Sequence, residues 1–335
     1  MKLIIPMAGR GTRLRPHTHV TPKPLIPVRG TSMVERIIDT FGDMLPRGLD
    51  EAVFILGPDF GQEVRDSLTE IAGRHDMKAS FGVQETALGT AHAVAQAGDH
   101  LNGECVIVFA DTLFYMDEKP DLDAADALIW VKEVEDPRRF GVVVKDDDER
   151  ITDFVEKPSE PISNEAIIGI YYVKDGASLG REIQYLIDND VTGHGEYQLT
   201  DALDRMLKAG SVFKTASVSE WLDCGTIPAL KETSKVILDK EESGEKEGAV
   251  ENSILIEPVY VGPNARVVDS VVGPYVAVHG GAEVANSVLK NTIVFADAHI
   301  ADSSLDDSVI GMHAEVRQVS SPLNIGDHAT AGPTA

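Results

Sequence analysis

Residues 1–16, MKLIIPMAGRGTRLRP, run a short apolar strand straight into a glycine- and arginine-rich turn. The strand, residues 2–6, ends where an open α/β sheet places its ligand crevice, outside the carboxyl ends of its strands. Gly9 and Gly11 let backbone amides come close to phosphate oxygens, and Arg10, Arg13 and Arg15 bring positive charge and fixed-fork donors. No Asp or Glu occurs before Glu35, whereas Lys2, Arg10, Arg13, Arg15, Lys23 and Arg29 do. In a chain with 55 acidic and 30 basic residues, that local reversal points to an anionic ligand, most obviously a triphosphate. The same letters disfavour two other phosphate-binding motifs. A dinucleotide fingerprint needs a third glycine where Leu14 stands, and a P-loop needs Gly-Lys-Ser/Thr, which is absent.

Outward from this stretch, β-rich runs alternate with amphipathic ones to about residue 240. Candidate strands at 2–6, 52–56, 78–83 and 104–109 enclose candidate helices at 33–41, 61–74 and 90–97. That βαβαβαβ order predicts a layered α/β domain. A second set of strands, near 127–131, 141–145, 151–154 and 166–173, has shorter connections and extends the sheet in mixed fashion. Helices are expected at 176–188, 198–209 and 227–239.

Residues 240–248, KEESGEKEG, are charged and almost free of apolar side chains, which marks a boundary. The expected domains are 1–240, a linker at 241–250, and 251–335. The last is differently built. Ala282-Glu283-Val284, Ala298-His299-Ile300 and Ala314-Glu315-Val316 recur sixteen residues apart, with Ala265-Arg266-Val267 seventeen before the first. Small and aliphatic residues interleave at five- to six-residue spacing, as three short sides per coil require, because each coil can bury its apolar face only against its neighbours. The pattern resembles hexapeptide-repeat left-handed β-helices. His279, His299, His313 and His328 fall in it at spacings of 20, 14 and 15, which assigns them to no single repeated position.

Composition bounds the function. Hydrophobic residues at 43% allow a sizeable core, and a formal charge of -25 argues against nucleic acid or an anionic membrane as partner. Cys105 and Cys224 lack metal-ligand spacing and offer no disulfide framework. The apolar start is too short and too charged for a signal peptide, so the cytoplasm is the expected compartment.

Gly11-Thr12-Arg13-Leu14-Arg15-Pro16 continuing to Pro22-Lys23-Pro24-Leu25-Ile26-Pro27-Val28 resembles the signature of the sugar-phosphate nucleotidyltransferases, the nucleotide-sugar pyrophosphorylases. The likeness runs in order through residues 84–91 (QETALGTA), Phe109-Ala110-Asp111, Phe140-Gly141-Val142, Val155-Glu156-Lys157-Pro158, Gly169-Ile170-Tyr171, residues 195–201 (GEYQLTD) and residues 221–226 (WLDCGT). It covers essentially all of 1–240 and is nearest to the β-helix-tailed glucose-1-phosphate thymidylyltransferase branch. The fold it implies is a Rossmann-like mixed-sheet domain followed by a short left-handed β-helix.

The resemblance implies attack of a sugar-1-phosphate oxygen on the α-phosphorus of a nucleoside triphosphate, with release of pyrophosphate. Arg13, Lys23 and Lys157 would be catalytic: Arg13 on the departing pyrophosphate, Lys23 near the reacting centre, Lys157 on the sugar phosphate. Ala8, Gly9, Gly11 and Thr12 would wrap the nucleotide, Gln84 and Gly89 would read its base, and Gly141, Glu156, Gly169 and Glu196 would line the sugar pocket. Asp111 and Asp223 would hold Mg²⁺, which accepts one or two carboxylates beside phosphate oxygens and water. Read alone, each aspartate is a turn cap.

Two departures stand out. Ala8 replaces an expected glycine, and Leu88-Gly89-Thr90-Ala91 resembles guanylyl and N-acetylglucosamine-1-phosphate enzymes more than the thymidylyl group. Glucose with dTTP or UTP is the favoured pair; mannose-1-phosphate guanylyl transfer, N-acetylglucosamine-1-phosphate uridylyl transfer and a noncatalytic nucleotide-sugar-binding subunit stay open. The β-helix is expected to join copies into a homo-oligomer, with an acyltransferase role as the alternative.

Overall fold

The computed structural model describes residues 1–9, 11–160, 162–241 and 247–333. Half of the expected linker, residues 242–246, lies outside the described residues. By packing, the chain forms two compact units: residues 1–9 with 35–221, and residues 10–34 with 222–335. Among the described residues no helix is long and apolar enough to cross a membrane.

The first unit is built on a nine-stranded mixed sheet. Its strands are β1 (Lys2–Pro6), β2 (Glu51–Leu56), β3 (Lys78–Val83), β4 (Cys105–Val108), β5 (Ala127–Glu133), β6 (Gly141–Lys145), β7 (Ile151–Glu156), β8 (Glu165–Val173) and β9 (Phe213–Ser217). They run in the order β7-β6-β8-β4-β1-β2-β3, with β5 on β8 and β9 on β5. Strands β4, β1, β2 and β3 are mutually parallel, and β8 enters antiparallel beside β4. Helices cover a parallel sheet on both faces, so its strands read as continuous apolar runs. Leu3, Ile4, Ile5, residues 52–56 and residues 105–108 are accordingly fully buried.

The helices are α1 (Met33–Met44), α2 (Gln62–Arg74), α3 (Thr90–Ala95), α4 (Gly176–Asp188) and α5 (Leu199–Lys208). Asp175 caps α4, its carboxylate accepting from the amides of Ala177 and Ser178. Val94, Leu179, Ile183, Leu199, Leu203 and Phe213 share one core cluster with Ile4, Ile107 and Tyr171. The expected elements fall within a few residues of these bounds. Strand β9 was not among them: Phe213-Lys214-Thr215-Ala216-Ser217 has one large apolar residue, and its strand character comes from parallel pairing with β5.

The second unit holds α6 (Ile227–Lys240), capped by Thr226, and three parallel sheets of six, four and five very short strands. Val250, Val267, Val284, Ile300 and Val316 stack in register along one side. Leu255, Val272, Leu289 and Leu305 do so along the second, and Val261, Val278, Val294, Ile310 and Ile325 along the third. Together they make one dry column, the core of a three-sided β-helix. The corners need φ > 0, which Asn and Asp tolerate best among residues with a Cβ. One corner column is Asn252, Asp269, Asn286, Asp302 and Gln318; another is Asn264, Gly281, Asp297, His313 and His328, all with positive φ. His313 and His328 therefore do occupy one repeated position, contrary to the reading of their spacing, and their rings stack at 4.9 Å. The coils vary between 15 and 17 residues, which hides the register in the sequence.

Candidate active site

Because β1, β2, β3 and β4 run parallel, the residues that follow them leave the sheet along one edge. Ala8 and Gly9 follow β1, Gln84 follows β3 and Asp111 follows β4. Ala8 comes close to the next connection, its carbonyl only 3.0 Å from where a Cβ on Gly57 would stand. Gly9 and Asp111 are exposed at this edge.

Gln84 is 7% exposed, and both uses of its Nε2 are internal: 3.2 Å to Gly89 O and 3.1 Å to His92 Nδ1. Burial lowers the His92 pKa and keeps the imidazole neutral, so that Nδ1 can accept. Gly89 opens α3 at φ 117, and a Cβ there would lie 2.4 Å from Tyr197 O. Its missing side chain thus has a packing cause: the 195–201 segment crosses it, with Tyr197 N donating to Leu88 O and Ala91 N to Tyr197 O. Glu196, exposed in the Gly193–Glu196 turn, approaches the same point.

A second cluster forms around β6, β7 and β8. Gly141 pairs with Glu156 across the antiparallel ladder, and a Cβ on Gly141 would sit 2.9 Å from Glu156 Oε2. Lys157 follows at φ 46 with its ammonium exposed, 3.6 Å from Glu156 Oε1. Gly169, at φ 80, lies where the β8–β5 register shifts, and its carbonyl accepts from Phe109 N at 3.1 Å. That bulge turns the backbone toward the segment that carries Asp111.

Tyr171 lies buried behind them. Burial first, then the charges of Glu156 and Asp111, raise its hydroxyl pKa well above the ordinary tyrosine value. Burial likewise raises the Asp201 pKa, with Asp204 and Glu156 adding to it. Tyr171 and Asp201 were inside recognised motifs but not among the expected site residues. Only their shared neighbour Glu156 singles them out.

The second unit holds the other expected residues. Thr12 begins a 3₁₀ turn, Thr12–Leu14, that starts from Gly11 at φ 59. A Cβ on Gly11 would meet Lys23 Cβ at 2.8 Å, and Thr18 Oγ1 donates to Gly11 O at 2.8 Å, so the loop closes on itself around the buried Lys23. Arg13 and Asp223 converge on Gly225. A Cβ there would stand 3.2 Å from Arg13 Nη2 and 2.9 Å from Asp223 Oδ1, which accepts from Gly225 N at 2.6 Å. Thr233 Oγ1 donates to Asp223 O and fixes the turn. Gly225 was not among the expected residues either. Among the described residues no group of three or more His, Cys, Asp or Glu side chains could hold a metal ion.

A sequence profile of the family described as Nucleotidyl transferase matches residues 2–240. The chain belongs to this nucleotidyltransferase family. It is a sugar-phosphate nucleotidyltransferase with a C-terminal β-helix. It is similar, at 27% identity over 99% of both chains, to a glucose-1-phosphate thymidylyltransferase of Streptomyces griseus. A low-salt glycan biosynthesis nucleotidyltransferase of Haloferax volcanii is 26% identical over 99% of this chain and 98% of its own. The bifunctional protein GlmU of Methanocaldococcus jannaschii is 32% identical over 77% of this chain, but only 59% of its own length is matched. Among solved structures, a Bacillus anthracis candidate glucose-1-phosphate thymidylyltransferase crystallised with sucrose superposes with a TM-score of 0.56. It is 27% identical over 70% of this chain and 94% of that one.

Proposed function

We propose that this nucleotidyltransferase makes a nucleoside-diphosphate glucose from dTTP or UTP and glucose-1-phosphate. The observation that carries the base assignment is the orientation of Gln84. Its amide nitrogen is spent on Gly89 and His92, which leaves the carbonyl oxygen as the group to present to a base. An acceptor matches the imide N–H of thymine or uracil and mismatches the ring nitrogen of cytosine or adenine. Guanine also offers an N–H, so mannose-1-phosphate with GTP is the competing pair; N-acetylglucosamine-1-phosphate with UTP competes for the sugar. Glucose is favoured by relatives that align along the whole chain.

In this reading the glycine-rich turn from Ala8 to Thr12 wraps the triphosphate. Arg13 and Lys23 neutralise charge on the pyrophosphate as it leaves, and Lys157 holds the sugar phosphate that attacks. A new oxygen–phosphorus bond forms at the α-phosphorus and the bond to the β-phosphate oxygen breaks, without a covalent enzyme intermediate. Catalysis is then positioning and charge neutralisation. Glu156, with the backbone of Gly141 and Gly169, would take sugar hydroxyls, and Glu196 would close that side. Asp111 and Asp223 would hold Mg²⁺, a hard cation that takes one or two carboxylates beside phosphate oxygens and water. Bound there, the metal would supply charge neutralisation and alignment of phosphate oxygens.

The domain scheme proposed with this activity is catalysis in 1–240, a linker at 241–250 and assembly through 251–335, in the cytoplasm. Ile254, Val271 and Val288 form an apolar row on one side of the β-helix, the first and last 63% and 49% exposed. A second copy covering that row would explain it, and Ile254→Lys with Val288→Lys should then lower the mass in solution. The activity is tested by pyrophosphate release with Mg²⁺ across five triphosphates and four hexose-1-phosphates. A dominant GTP–mannose or UTP–N-acetylglucosamine pair would replace the favoured one.

A further inference from the structure

Residues 10–34 belong to the compact unit of the β-helix, and the contacts that fasten them there are specific. His17, between the two basic motifs, is 1% exposed. Its Nε2 lies 2.6 Å from Asn324 Oδ1, in the last coil, across 307 residues of sequence. Its ring stands edge-on to Phe295 at 5.5 Å, Phe295 does so to His279 at 5.4 Å, and His279 to Tyr260 at 6.0 Å. The row ends where Arg29 lies over the Tyr260 ring at 5.5 Å and Gly30 packs against that ring.

The β-helix corner beneath is shaped to receive this loop. The residues that follow the third-side column Val261, Val278, Val294, Ile310 and Ile325 are Gly262, His279, Phe295, Gly311 and Gly326. The side chains stop at Gly311 and Gly326, and Pro16 fills the space: a Cβ on Gly326 would come within 2.9 Å of Pro16 Cβ. Thr21 adds a contact to Met312 Sδ at 4.0 Å. The same loop carries Arg13 and Lys23 on a backbone only a few residues away.

We infer that the β-helix is the seat of the triphosphate-binding loop, and that the His17–Asn324 hydrogen bond positions Arg13 and Lys23. His17 is a positioning residue in this scheme, which rests on the proposed role of those two cations. Thr18 closes the loop locally on Gly11, while Pro16 and His17 between them are fastened to Gly326 and Asn324, so loosening the final coil loosens the loop's basic groups.

The experiment uses the full chain with His17→Ala, Asn324→Ala, the double variant and Asn324→Asp, which keeps an acceptor in place. Steady-state kinetics with the preferred pair should show KM for the triphosphate raised roughly 5- to 10-fold in each alanine variant, the loss of one positioned hydrogen bond. The double variant should be no worse than the poorer single, KM for the sugar phosphate unmoved, and Asn324→Asp within about twofold of wild type. Additive losses, or an unchanged triphosphate KM, overturn the inference. Amide hydrogen exchange separates it from the activity itself. If the wild type turns over no pair, faster exchange in residues 11–25 of Asn324→Ala, with 276–300 unchanged, still supports the seat, and unchanged exchange in 11–25 overturns it.

Discussion

Gln84 and His92 share a hydrogen bond of 3.1 Å in which the carboxamide nitrogen of one meets Nδ1 of the other. Burial keeps His92 neutral, so this bond sets which end of the Gln84 amide faces outward. Replacing His92 by Ala removes one of two reasons for that orientation and lets the amide turn over. A turned amide offers N–H to the base, and cytosine becomes acceptable. Relative kcat/KM for UTP over CTP should fall about tenfold in His92→Ala, one hydrogen bond's worth of discrimination. Gln84→Ala should lower kcat/KM for the preferred triphosphate by a similar factor. An unchanged ratio in His92→Ala would show that Gly89 O alone orients Gln84.

Asp111→Asn and Asp223→Asn test the carboxylates. Both side chains are exposed, and at 223 an asparagine Oδ1 can still accept from Gly225 N, so neither change should unfold the protein. The melting temperature should stay within about a degree or two, as for surface substitutions. Turnover should fall by roughly 10²–10³, the loss typical of removing a charge-stabilising group at a reacting phosphate. The Mg²⁺ concentration for half-maximal rate should rise in parallel. Equal activity in either variant would remove that aspartate from the metal assignment.

What could be read from the sequence depended on range. The parallel strands β1, β2 and β4 announce themselves as apolar runs because both faces are covered, and α4 because its periodicity and cap are local. The β-helix was legible through stacked Val and Ile, whose spacing drifts only by a residue per coil. That same drift hid the shared position of His313 and His328. Strand β9 was invisible because its β5 partner, not its own residues, makes it a strand. His17 reads as an ordinary loop histidine until Asn324 and Phe295, some 300 positions on, close over it. At the candidate site, the motifs named Glu156 and Asp111, but Tyr171 emerges only from its burial and from the field both exert on its hydroxyl.

The corner column of Asn252, Asp269, Asn286 and Asp302 alternates amide and acid, and the amides donate along the stack. Asn286 Nδ2 lies 2.6 Å from Asp302 Oδ1, and Asn252 donates to Asp269. Asn286→Asp keeps a residue that accepts φ > 0, so the backbone is not strained. It replaces a donor with a third consecutive carboxylate. Stability should drop by about 1–2 kcal/mol at low salt, from the lost bond and the like-charge contact. Most of the repulsive part should return in 1 M KCl, where the screening length is about 3 Å. Thermal unfolding at two salt concentrations checks this; a salt-independent loss would mean that the missing donor, not charge, carries the effect.

The seat of His17 should also respond to pH. Burial lowers its folded-state pKa below the ordinary 6.5, against the opposing pull of the Asn324 hydrogen bond and the Asp327 carboxylate. Its Nδ1 is buried without a hydrogen-bond partner, so a proton there would be a buried, unmet donor. Between the folded pKa and 6.5 the unfolded chain binds more protons than the folded one, and stability therefore rises with pH across that window. The contribution is fully present above about 6.5 and is lost as the pH falls through the folded value. His92, also lowered by burial, gives a slope of the same sign, so the comparison must be made against a variant rather than zero. His17→Gln keeps an amide donor that can reach Asn324 but cannot titrate. Its melting temperature should fall less between pH 7 and pH 5.5 than that of wild type, while His92→Gln should show a separate and additive reduction. Identical slopes for wild type and His17→Gln would mean that the loop seat takes up the proton without cost.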